Sequence, residues 1–352
     1  MRLLLLLGLV LVATAGPSAT QQAKPPVEEP KPAGGAAGAA DQQPLDPRQL
    51  GVVDGDLSAS GIAEERSGPI VQALRSRDYE HAEALLVQAA EAQPASAEIL
   101  RLLGGVFMMR NRPLNAAVAL KKAEAIAPLD ERSRFTLVMA YLALRHRDWA
   151  RPELAKLVTA APANALYAYW SGRLEYDDGQ YATAAKGFQR AIDLDPAFMR
   201  AHDNLGLCLD ALGRFDEAER SFEQAIRLDR VQMTHSPWPS LNLGLLLSRL
   251  DRLDAAEARF RDSVASDPRF GLARYHLGVT LEKKGRTAEA ISELEEAARL
   301  DPASPEAQYA LARLYGRSGD KAKAAGALQR FEELKKKSDA AHGKAPAEPG
   351  LR

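Results

Sequence analysis

Cys208 is the only cysteine among 352 residues, so no internal disulfide can form and metal or redox motifs built from several cysteines are excluded. Histidine is nearly as scarce. His81, His146, His202, His235, His276 and His342 stand far apart, without metal-ligand spacing, a nucleophile turn or a glycine-rich phosphate loop around them. Acidic pairs such as Glu295 with Glu296 fall on solvated helix faces and do not form a general acid and base. The sequence therefore offers no catalytic constellation, metal site or cofactor motif. It also lacks excess charge of either sign: 46 basic and 47 acidic residues leave a formal net charge of −1. This removes the electrostatic signature of a nucleic-acid partner. Cys208 reads as a small apolar packing residue.

The longest apolar stretch is at the start. Met1 and Arg2 precede an apolar run from Leu3 to Val12, and Ala13, Thr14 and Ala15 follow with the small-x-small pattern of a signal peptidase site. Residues 1–15 are thus expected to be a signal peptide removed near Ala15, with the product periplasmic or secreted. The run is short for a bilayer, so no membrane insertion is expected after signal cleavage. Residues 16–62 carry seven prolines between Pro17 and Pro47, the cluster Gly34, Gly35 and Gly38, and few large apolar side chains. Such a segment buries too little surface to offset its ordering entropy, which predicts a disordered linker.

From residue 63 a period governs the chain. Ile70, Gly104, Val138, Gly172, Gly206, Gly244, Gly278 and Ala312 are separated by 34 residues, except for one gap of 38. Twelve residues after each marker comes an alanine: Ala82, Ala116, Ala150, Ala184, Ala218, Ala256, Ala290 and Ala324. Four residues later the slot is always Leu or Phe: Leu86, Leu120, Leu154, Phe188, Phe222, Phe260, Leu294 and Leu328. Pro94, Pro128, Pro162, Pro196, Pro268 and Pro302 close six of the units, with Arg230 and Lys336 in the other two. These spacings describe a helical hairpin in which small residues let two helices approach and a large residue fills the groove one turn on. Gly179, Gly213, Gly285 and Gly319, with Asn111 in the same place, suit the left-handed end of the first helix.

This pattern of Leu205-Gly206, Ala218-x-x-x-Phe222 and a closing proline resembles the tetratricopeptide repeat. The resemblance covers residues 63–338 in eight units starting near 63, 97, 131, 165, 199, 237, 271 and 305, and leaves 339–352 as a disordered tail. It implies an all-α fold, a right-handed α–α superhelical solenoid. Gly68 and Pro69 predict a short first helix in the first unit. The four extra residues around Val231 to Pro237 predict a longer loop after the fifth unit, and Glu332 to Lys337 a long last helix.

In this family ligands usually lie along the first helices, on the concave side. The matching stripe here carries Tyr169, Trp170, Arg173, Asn204, Trp238, Asn242, Tyr275, His276, Tyr309 and Arg313. Two readings stand side by side: a contact surface for a partner, rich in aromatics, or packing between neighbouring repeats. Asn204 and Asn242 share one slot, similar to a short asparagine ladder for a peptide backbone; a locally bonded pair is the alternative. The carboxylate clamp of chaperone-binding relatives is not matched, because Asp203, Leu207, Leu272 and His276 stand at its other places. The function implied is a non-enzymatic scaffold that binds extended segments of other proteins or peptides. The more specific alternative is an accessory subunit of an envelope export or assembly machine for polysaccharide or pili.

Overall fold

The computed structural model describes the backbone of residues 64–342. The expected signal peptide, the linker 16–62 and residues 343–352 of the tail lie outside the described residues. Within them sixteen helices form eight hairpins and no strand occurs. The pairs are α1 (Glu64–Arg75) with α2 (Tyr79–Ala92), α3 (Ala97–Met109) with α4 (Pro113–Ile126), and α5 (Glu131–Ala143) with α6 (Arg147–Ala160). They continue as α7 (Ala165–Asp177) with α8 (Tyr181–Leu194), α9 (Met199–Ala211) with α10 (Phe215–Gln232), and α11 (Trp238–Arg249) with α12 (Leu253–Ser266). The last two are α13 (Gly271–Lys283) with α14 (Thr287–Leu300), and α15 (Pro305–Ser318) with α16 (Lys321–His342). The fold is an all-α solenoid, as the period predicts.

Size matching joins the two helices of a hairpin. The alanine slot is fully buried from Ala82 through Ala290, and the Leu/Phe slot is at most 2% exposed from Leu86 through Leu294. A Cβ added to Gly206 would lie 2.5 Å from the ring of Phe222, and one added to Gly244 2.6 Å from Phe260. All three phenylalanines of this slot face a glycine marker, at Gly172, Gly206 and Gly244, whereas Ile70, Val138 and Ala312 stand opposite leucines. In the fourth hairpin Gly187 adds a second close approach, its missing Cβ lying 2.6 Å from the Gly172 backbone.

Every hairpin turn uses the same left-handed residue seven places past the marker. Glycine holds it in four units, but Arg77, Asn111, Arg145 and Asp251 adopt it too, with φ of 58°, 54°, 62° and 59°. The reason is hydrogen bonding: the next N–H reaches back to an otherwise unpaired helical carbonyl, as Arg112 does to Phe107 (2.8 Å) and Arg214 to Leu209 (2.8 Å).

Two local expectations need correction. The first helix is not short: α1 has 12 residues against 13 for α3, with Pro69 inside it. Proline removes only one N–H, and near a helix start that interrupts little. The insertion after the fifth unit is mainly helical rather than a long loop. Arg230, standing where a proline would stop the helix, lets α10 run for 18 residues against 14 in α8. The chain then turns through Met233 and His235, both left-handed (φ 53° and 52°). The buried Asp229 carboxylate gathers this turn, accepting from the Thr234 hydroxyl and from the Ser236 N–H at 2.8 Å. The last helix does run long, α16 reaching 22 residues.

Candidate protein-binding surface

First helices of successive hairpins touch directly at α3–α5, α7–α9, α9–α11 and α11–α13, a closeness that no pair of second helices reaches. The first-helix row is therefore the inner side of the curve. The ten stripe residues all lie on this row or at its end, but their environments differ.

In the fourth and fifth hairpins the row is closed. Tyr169 is 0% exposed, packed between Trp170, Phe188 and Phe198 with ring centroids 5.0 to 5.6 Å away. Trp170 and Arg173 are buried. Arg173 pairs with Asp177 at 2.8 Å, one turn along its own helix, and reaches Asn204 Oδ1 at 3.4 Å. The Asn204 amide donates to Tyr169 OH at 3.3 Å and to the Arg200 carbonyl at 3.0 Å. Asn242 donates to both carboxylate oxygens of Asp203, at 3.0 and 3.1 Å. At 1% and 2% exposure the two asparagines do not present a ladder to solvent; their amides bond to the chain's own groups. Their shared slot faces the preceding repeat, so an amide there bridges one first helix to the one before.

The row opens toward the C-terminal end. Trp238, Tyr275 and His276 are half-buried, and Tyr309 is 50% exposed. Trp238 meets Phe270 edge-on at 4.8 Å. His276 lies parallel to Phe260 at 5.7 Å and edge-on to Tyr275 at 5.0 Å. Burial against these rings lowers the His276 pKa to about 4, so the imidazole is neutral at pH 7. Arg313 stands over Tyr309 at 6.0 Å and pairs with Glu282 of the preceding repeat, whose carboxylate also takes Arg317 at 2.8 Å. Two guanidinium groups thus share one nearly buried carboxylate. Glu282 and Arg317 were not singled out in the sequence, although Glu282 falls four residues past Gly278, on the same stripe.

The outer side offers a different surface. A cleft of about 450 Å³ between α2 and α4 is lined by Val87, Leu103, Phe107, Leu114 and Val118. Among the described residues no group of three or more His, Cys, Asp or Glu is placed to hold a metal ion, and no helix is long and apolar enough to cross a membrane. Cys208 is buried and its thiol is pushed up to about 12 by desolvation, which keeps it protonated.

Comparison with known proteins agrees with this architecture. One tetratricopeptide repeat model matches residues 72–131, 135–197, 171–232 and 241–305, and a second such model matches 281–345. These matches span most of the chain, which belongs to the tetratricopeptide repeat family. A solved tetratricopeptide repeat protein from Parabacteroides merdae superposes with a TM-score of 0.58 at 17% identity, covering 71% of this chain and 97% of its own. PilF of Pseudomonas aeruginosa superposes with a TM-score of 0.51 at 21% identity, covering 66% and 97% respectively. At such identities the likeness speaks for the fold. No protein of curated function matches the sequence significantly.

Proposed function

We propose that this protein is a non-enzymatic scaffold that holds an extended segment of a partner protein along the first-helix row of its last three hairpins. The observation that carries the reading is the change along the row, from the sealed Tyr169, Asn204 and Asn242 to the accessible Trp238, Tyr275, Tyr309 and Arg313. Rigid aromatic rings offer contact area at low entropic cost, and arginine adds directional bonds to carboxylates and carbonyls. The paired Arg313 and Arg317 favour a segment that carries acidic side chains at this end. The N-terminal apolar run supports export as the setting.

Affinity capture of partners by the wild-type protein and by Tyr309→Ala/Arg313→Ala tests the reading. Loss of capture with an unchanged melting temperature is expected, because both side chains are exposed and Arg317 keeps the Glu282 carboxylate paired. Equal capture by the two proteins would place the binding surface elsewhere.

A further inference from the structure

A solenoid's terminal repeat exposes the face that a next repeat would cover. Here that face stays partly apolar. The Leu/Phe slot, at most 2% exposed in the seven preceding units, is 44% exposed at Leu328. Three residues further along the second helix the preceding units carry Ala89, Ala123, Leu157, Ala191, Ala225, Ser263 and Ala297, six of the seven small. The last unit carries Phe331 instead, tilted against Tyr309 at 5.2 Å. Leu334 continues the stripe one turn on, also half-buried. Helix α16 has 22 residues, which at 1.5 Å per residue makes a rod of roughly 33 Å, about 12 Å longer than the usual second helix.

We propose that two copies of this chain pair end to end through α16, antiparallel about a twofold axis at Phe331. The charges select this arrangement. With Phe331 opposite its symmetry mate, Leu328 falls opposite Leu334, Arg330 opposite Glu332, and Lys323 opposite Asp339. Lys335, Lys336 and Lys337 fall opposite Ala327, Gly326 and Ala325, so no like charges stand directly opposite one another. A parallel pairing in the same register would set the three lysines against themselves. The contact is isologous and closes at two copies. It uses the α16 stripe and leaves Trp238, Tyr275 and Arg313 on the inner row; the two surfaces meet only at Tyr309, which touches Phe331, and Leu328 and Arg330, the positions varied below, lie outside the groove.

Sedimentation velocity of the purified chain over a range of concentrations tests this. The wild type sediments as a dimer, Leu328→Glu as a monomer of unchanged helicity, and Arg330→Glu self-associates about tenfold more weakly. The exchange Arg330→Glu/Glu332→Arg restores the dimer, because each pair is re-formed with its signs reversed. Should Leu328→Glu lose helicity, the charge exchange alone decides. A wild type that is monomeric throughout, a series of species growing beyond the dimer, or a dimer indifferent to Arg330→Glu would each overturn the proposal.

Discussion

The Asn242 side-chain amide spans two oxygens of Asp203 at 3.0 and 3.1 Å, tying the sixth repeat to the fifth through a carboxylate that is 3% exposed. A buried carboxylate that loses its donor has no access to water in exchange. Asn242→Ala is therefore expected to destabilise the fold by about 1–3 kcal/mol, measured by chemical denaturation. Asp203→Asn in that background should recover part of the loss, since it removes a buried charge that has lost a donor. An unchanged midpoint for Asn242→Ala would show that the bond carries no stability.

Size matching between Gly206 and Phe222 predicts a specific non-additivity. Gly206→Ala should cost about 1–3 kcal/mol because the new Cβ collides with a packed ring. Phe222→Leu should cost a similar amount by leaving a void, on the order of 1–2 kcal/mol. The double variant, which imitates the Ala312–Leu328 and Val138–Leu154 pairs, should be less destabilised than the sum of the two. Denaturation of all four proteins checks this cycle; strict additivity would refute the complementarity.

The left-handed turns predict gains. Arg145 has φ 62°, where a side chain crowds the following carbonyl and glycine does not. Arg145→Gly is expected to stabilise by about 0.5–1 kcal/mol after the entropy lost by glycine is deducted. Arg77→Gly should behave alike. A lower melting temperature for both would show that the strain is absent.

Acid should loosen the junction of the sixth and seventh repeats. Burial opposes ionisation of Glu257, but Lys284, Arg286 and Arg261 outweigh it and hold the carboxyl at about 2, below its ordinary 4.5. The stabilisation is complete above the unfolded value and is lost as pH falls from about 4.5 toward about 2. His276 acts in a higher window. Its folded pKa, lowered by burial to about 4 from 6.5, makes stability fall as pH drops through that range. Glu257→Gln should flatten the lower limb of the stability profile and His276→Gln the upper one, as followed by thermal melts at stepped pH.

The hairpins were legible in the sequence because each repeat meets the same packing constraint. Small markers, the alanine slot and the Leu/Phe slot recur wherever a neighbouring helix closes on them. The exceptions lie where backbone bonding overrides residue preference. Arg77, Arg145 and Asp251 take the left-handed turn because the reach-back hydrogen bond compensates for their side chains, which composition does not reveal. Arg230 in a proline slot could have signalled a longer α10, since without proline nothing stops the helix there. The site was only partly legible. The stripe marks which residues face inward, yet whether Asn204 or Tyr309 reaches solvent depends on the repeat beside it, and a period common to all repeats does not encode that.

The central claim is that a partner lies along the inner row of the last three hairpins. A photo-crosslinking phenylalanine analogue placed singly at Tyr275, Tyr309 and, on the outer side, Val118 tests it most directly, with the adducts mapped by mass spectrometry. The account predicts adducts at Tyr275 and Tyr309 to neighbouring residues of one linear stretch of a partner, and none at Val118. Adducts at Val118 with silence at Tyr275 and Tyr309 would contradict it and move the binding surface to the cleft between α2 and α4.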